Sequence, residues 1–211
     1  MGIYTGGKLG VWRKGDEEWT TINFGSDRIF FEDVVYHNDK FYALTSMGHA
    51  ITVDLKSLKV SEVSGPMGNG NYKYLVPSCK ELFFIDKPFF EDFIQCGFED
   101  DSDERSYPVS LNVFKLDEEN HVWFPVMNDL EDRVLFCSSD CSFSISAKEF
   151  AGCKKNCVYF TDDSFDKGRD DHPGWDAGIY DLEDDTVGAL SDFPEYSKIF
   201  WPPPVWLKPT K

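Results

Sequence analysis

The chain reads as all-β, and three observations carry that reading. A short strand–turn–strand pattern recurs three times. Apolar residues alternate with polar ones or cluster as β-branched and aromatic runs. Stretches of twelve residues with apolar positions at helical spacing are scarce. The recurring unit occupies 41–44, 53–55 and 60–63 in its first copy, 82–85, 114–116 and 122–126 in its second, and 157–160, 180–182 and 187–190 in its third. Four-stranded units repeated in series build a β-propeller, each sheet forming one blade. The expectation is a single domain over 1–211: a partial β-propeller of about three and a half four-stranded antiparallel blades.

Each element has its own signal. A half blade over 9–24 follows from Val11-Trp12-Arg13, the turn Lys14-Gly15-Asp16-Glu17 and a second strand from Trp19 to Ile22. In the blade at 30–65, Asn38-Asp39 separates Val34-Val35-Tyr36 from Phe41-Tyr42. Both turn residues tolerate the left-handed backbone of a tight hairpin. Farther on, Ile51, Val53 and Leu55 alternate with polar neighbours. The blade at 72–128 repeats this with Tyr74-Leu75-Val76, a turn at 77–81 and Leu82-Phe83, and carries an acidic insertion at 86–111 with five acids in the six residues 99–104. A third blade covers 142–191, with an aspartate-rich insertion at 162–177, and a Trp/Pro-rich tail at 192–211 closes the chain. Both insertions are expected to project from one rim. Three and a half units fall short of the usual ~4–8 blades, so the ring is either open or part of a longer propeller.

Composition narrows the function. With 38 acidic and 21 basic residues the formal charge is −17. That field repels phosphate backbones and anionic lipid, which argues against nucleic-acid and membrane partners and for a protein target with a basic surface. No run of 18 apolar residues exists, the first residues lack the basic-then-apolar order of a secretory signal, and position 6 is Gly where a myristoylation pattern needs Ser or Thr. The chain also has no Asn-x-Ser/Thr sequon. A cytoplasmic or nuclear protein with reduced cysteines is expected.

The run Gly152-Cys153-Lys154-Lys155-Asn156-Cys157-Val158-Tyr159-Phe160-Thr161-Asp162 is distinctive, as are Ser142-Phe143-Ser144-Ile145-Ser146-Ala147, Tyr180-Asp181-Leu182-Glu183-Asp184 and Trp201-Pro202-Pro203-Pro204-Val205-Trp206. Together they resemble the KIB-type β-propeller found C-terminal to an F-box in many plant proteins, over about 10–207. The resemblance implies a substrate receptor of Skp–cullin–F-box ubiquitin ligases, with a protein target that in some members is a kinase of the glycogen-synthase-kinase type. One departure stands out. The first thirty residues carry glycines at 2, 6, 7, 10 and 15 and hairpin chemistry, not the helical F-box. A chain with these residues alone is expected to bind a target without docking a ligase. The rival expectations are a truncated or decoy relative and, further off, a hydrolase on a propeller scaffold.

The candidate sites divide in the same way. Cys137, Cys141, Cys153 and Cys157 have spacings that zinc uses, yet small buried apolar residues on adjacent strands show the same pattern, and that is the reading adopted. Asp162, Ser164 and Asp166 begin like a calcium loop, but the glycine falls one place late and the bidentate glutamate is missing, which favours a solvated acidic loop. Nothing resembles a nucleophile elbow or a phosphate-cradling loop. No catalytic residue, metal or cofactor is therefore expected, and the chain reads as a non-enzyme. The four histidines fall in expected turns or loops and should face solvent. Trp12, Trp19 and Trp123 are assigned to packing between blades. Trp175, alone in a polar loop, with the acids Asp170, Asp171, Asp100 and Asp101, forms the expected partner-binding set.

Overall fold

The computed structural model describes residues 1–25, 29–70, 72–87, 111–138, 141–149, 153–160 and 178–189, with side chains through 188. These residues hold sixteen strands in four sheets, and no helix among them is long and apolar enough to cross a membrane. The chain divides into two compact units. One comprises Met1–Lys87 and Asn112–Pro125, the other Pro88–Leu111 and Val126–Lys211.

The first unit contains three sheets. The opening sheet orders β1 (Gly2–Tyr4), β2 (Lys8–Val11) and β3 (Thr20–Thr21). It has one strand more than the half blade anticipated, because three residues among glycines carry no period to read. Gly2 and Gly10 are cross-strand partners, and a Cβ on Gly10 would sit 2.9 Å from the Tyr4 ring and 3.1 Å from Trp19. The bare glycine surface is what lets those two rings stack at 6.0 Å.

The second sheet is the consecutive antiparallel series β4 (Phe31–His37), β5 (Lys40–Thr45), β6 (Ala50–Val53) and β7 (Val60–Ser64). The third repeats it as β8 (Tyr72–Ser78), β9 (Glu81–Lys87), β10 (Asn112–Asp117) and β11 (Val122–Pro125). Both match the four-stranded unit expected from the sequence.

Period-two alternation gives the second sheet two buried faces. Tyr42, Leu44 and Ala50 join Leu75, Leu82, Phe84 and Trp123 of the third sheet in one cluster. Ala43, Ile51 and Val53 join Leu9, Val11 and Ile22 of the first sheet in another. Sheets stacked in series, each serving as the floor of the next, are the packing of propeller blades. Asp33, at a register shift in β4, adds a polar tie between the second and third sheets: its carboxylate accepts the Leu75 N–H at 2.7 Å.

Asp86 opens the acidic insertion of the sequence reading, yet it lies within β9 and is buried. Its carboxylate accepts the Asn69 N–H at 3.1 Å and the Gly70 N–H at 3.0 Å, and pairs with the Lys73 ammonium at 3.3 Å. Lys73 also donates to the Gly70 carbonyl. A Cβ on Gly70 would come within 2.6 Å of the same carboxylate, so the glycine is needed for the close approach.

The second unit carries a five-stranded sheet in the order β13 (Phe143–Ser146), β12 (Arg133–Cys137), β14 (Cys157–Phe160), β15 (Gly178–Asp181) and β16 (Thr186–Ala189). This departs from the uniform four-stranded antiparallel unit: β12 was not anticipated, and it pairs with β14 in parallel. The run Arg133-Val134-Leu135-Phe136-Cys137 is continuously apolar after its first residue, so alternation does not reveal it. Asn156 fixes the crossover into β14. Its backbone has φ 59°, its amide N–H donates to the Arg133 carbonyl at 2.9 Å, and its side-chain oxygen accepts the Leu130 N–H at 3.0 Å.

Candidate interaction site

The short turns of the second and third sheets lie at one end of their strands. Asn38 and Asp39 have φ 46° and 61°, the left-handed pair that a two-residue hairpin requires. Cys79 has φ 52° in the matching turn between β8 and β9. The turn after β10 is built by the Asp117 carboxylate, which accepts the N–H groups of Glu119 and Asn120 at 3.0 Å each and the Asn120 side-chain amide at 2.8 Å. Those bonds hold the Asp117 carboxyl below its usual range.

Polar contacts tie the two sheets together at this end. The Asn38 side-chain amide donates to the Lys80 carbonyl at 3.0 Å. The Glu118 carboxylate accepts the Lys40 ammonium at 2.7 Å on one oxygen and the Tyr42 hydroxyl on the other. Burial alone would raise the Glu118 carboxyl. The bonds from Lys40 and Tyr42, with the charges of Lys40 and His37, outweigh that and leave it below its usual range. Tyr42 is driven the other way, first by burial and then by its bond to Glu118.

A groove of about 450 Å³ opens among these turns. Its lining includes buried Leu82 and His37, the ion pair of Lys115 with Glu81, the acidic turn Asp117-Glu118-Glu119, and Phe124. Lys115 and Phe124 are cross-strand partners, and the Phe124 ring is half exposed. The recess lies at a sheet end and mixes charged side chains of both signs with the apolar Leu82, Leu116 and Phe124.

The expected binding set, Trp175, Asp170, Asp171, Asp100 and Asp101, lies outside the described residues, as do the calcium candidates Asp162, Ser164 and Asp166. Of the cysteines, Cys157 belongs to the apolar cluster of the second unit and Cys141 and Cys153 pack against it. Cys137 is buried on the alternate face of β12. Burial and then the charge of Asp181 push the Cys157 thiol up to about 12, the direction that disfavours a thiolate ligand. No group of three or more metal-ligating side chains occurs among the described residues.

Two aromatic assignments need correction. Trp123 is buried between sheets as expected, but Trp12 and Trp19 are 48% and 46% exposed. The first donates its indole N–H to the Asp16 carbonyl, and the second lies on the open glycine face of the opening sheet. His37 is also corrected: it is the buried last residue of β4 beside Tyr42 and does not face solvent. Sequence reasoning missed Glu118 and Phe124 as site residues. The one available signal was an acidic turn directly followed by an uncharged strand.

Sheets stacked in series, as in the first unit, define a β-propeller protein. The chain belongs to the KIB1-4 β-propeller family, which it matches over residues 1–181. The match includes the opening strand and ends before the Trp/Pro tail. The chain is 32% identical to F-box protein SKIP23 of Arabidopsis thaliana, over 97% of this chain and 52% of that protein. It is 31% identical to F-box protein At2g17036 of the same plant, over 95% and 50%. The chain thus spans about half the length of the curated relatives it matches.

Proposed function

We propose that this chain is a protein-interaction module, the substrate-recognition propeller of an F-box type ubiquitin-ligase subunit, acting without catalysis and without a cofactor in the cytoplasm or nucleus. The observation that carries the proposal is family membership over residues 1–181, joined to similarity with F-box proteins over nearly the whole chain. The groove between the second and third sheets supports it, because it offers a recess held by Glu118 and an exposed ring at Phe124. The net charge of −17 favours a partner with a basic surface, and a kinase of the glycogen-synthase-kinase type is the separate target that the family resemblance implies. The aspartates at 100, 101, 170 and 171 with Trp175 are proposed as a second contact region.

Affinity capture from plant extract with the 211-residue chain, read by mass spectrometry, tests this reading. Captured proteins are then purified and titrated back. Saturable binding that weakens when the four aspartates become asparagine and Trp175 becomes alanine supports the whole proposal. Binding indifferent to those changes removes the second contact region. Failure of every captured protein to bind again removes the interaction reading.

A further inference from the structure

The outermost strands of the three stacked sheets are not protected alike. An unpaired sheet edge invites another strand, and proteins blunt it with brevity, charge or irregularity. In the opening sheet β3 is only two residues long. In the second, β7 carries exposed Glu62, which contacts His49 at 3.4 Å, and its pairing shifts register at Ala50 and Ile51. The third sheet ends on β11, which carries no charged residue and no register shift and whose one blunting residue is Pro125 at its end. The chain is 28% charged, yet no Asp, Glu, Lys or Arg occurs from His121 to Asn128. Val122 and Phe124 share one face of β11 and are 39% and 50% exposed, whereas Trp123 between them is buried. Pairing runs regularly from Val122 to Pro125 against β10, and the sheet order places nothing on the other side among the described residues. Pro125 cannot donate, so its pair with Phe114 is non-hydrogen-bonded, Val122 and Phe124 bond to β10, and Trp123 supplies the outward-facing N–H and C=O of the edge.

We infer that the β11 edge is a strand-docking site for an extended, basic segment of a protein partner, which adds to the third sheet through main-chain hydrogen bonds. Alternate apolar side chains of the incoming strand meet Val122 and Phe124. Its Lys or Arg residues meet Glu119 of the adjoining turn, where the Asp117 carboxylate caps the turn and Glu118 is already paired with Lys40. That turn also selects among occupants. A second copy of this chain would bring another −17 and another acidic turn to the same edge. A basic segment brings complementary charge. The inference rests on the interaction reading above and names the surface that performs it.

The test uses the full ¹⁵N-labelled chain and the peptide acetyl-Lys-Val-Arg-Val-Lys-amide. Saturable NMR shifts at the Val122, Trp123 and Phe124 amides are expected, with a Kd no weaker than about 1 mM. The same peptide N-methylated on alternate amides should bind at least about tenfold more weakly, since it cannot complete the ladder. Phe124→Lys should weaken the unmodified peptide about tenfold while the other amide signals stay in place. Absence of shifts at 122–124, or equal binding of the methylated peptide, overturns the inference. So does tighter binding of acetyl-Glu-Val-Glu-Val-Glu-amide. A concentration-dependent dimer in sedimentation that Phe124→Lys abolishes overturns it in favour of a second copy. Peptide binding with no captured protein would instead fault the proposed function and leave this edge standing.

Discussion

The indole N–H of Trp123 donates to the carbonyl of Gly48 across 3.1 Å, joining residues 75 apart in sequence. The bond runs from the outer strand of the third sheet to the β5–β6 connection of the second, with Trp123 packed at 5.4 Å from Phe84 beneath it. Gly48 has φ 78°, and a Cβ there would fall 1.8 Å from the Met67 carbonyl oxygen. The contact therefore fixes how two neighbouring sheets meet, which sets the walls of the groove.

Trp123→Phe removes one buried hydrogen bond and some volume, and should cost about 1–3 kcal/mol. Trp123→Ala should cost about 3–5 kcal/mol. Urea unfolding at constant m-value measures both. Gly48→Ala should also destabilise, because its Cβ collides with the Met67 carbonyl and its backbone φ is left-handed.

Glu118 gives a pH dependence with a definite sign. Its folded-state carboxyl lies below its usual range, so its contribution is present above that range and is lost as pH falls through the folded value. Glu118→Gln should lower stability at pH 7 by about 1 kcal/mol, a small figure because the pair with Lys40 is partly exposed. The difference between the two proteins should shrink as the pH falls through and below the usual glutamate range. A gap that persists in acid would show that the carboxylate charge is not what matters.

The buried pair of Lys73 and Asp86 makes a stronger prediction. Asp86→Ala leaves a buried ammonium without its carboxylate and should cost about 3–5 kcal/mol. Lys73→Met combined with Asp86→Leu should recover only part of that loss, since the apolar pair has no charge to desolvate but leaves the Asn69 and Gly70 N–H groups without their acceptor. Chemical denaturation of Lys73→Met, Asp86→Leu and the double variant completes the cycle.

Cysteine reactivity separates surface from core. Cys79 is exposed in its turn, whereas Cys157 is buried with its thiol pushed up to about 12. Iodoacetamide at pH 8 should modify Cys79 in the native chain and reach Cys157 only in denaturant. Peptide mapping reads the order directly.

How much of this the sequence disclosed depended on whether a residue's role was local. The hairpin at Asn38-Asp39 and the alternation of Ile51 and Val53 are local, and both appear as read. The strand at Arg133 to Cys137 escaped because a strand covered on both faces loses its alternation, and its parallel pairing with β14 depends on a crossover pinned by Asn156. The groove was illegible for another reason. Tyr42 and Glu118 meet across 76 residues of sequence, and no spacing rule announces such a pair. Trp12 and Trp19 were misassigned because a tryptophan facing a neighbouring blade and one facing an open sheet have the same sequence surroundings.

The most direct measurement joins this chain to the F-box of one of its relatives and reconstitutes it with a Skp–cullin core and a captured partner. Transfer of ubiquitin to that partner, lost when the propeller residues are removed and the F-box kept, is the predicted result. A partner that stays bound while receiving no ubiquitin would contradict the receptor reading.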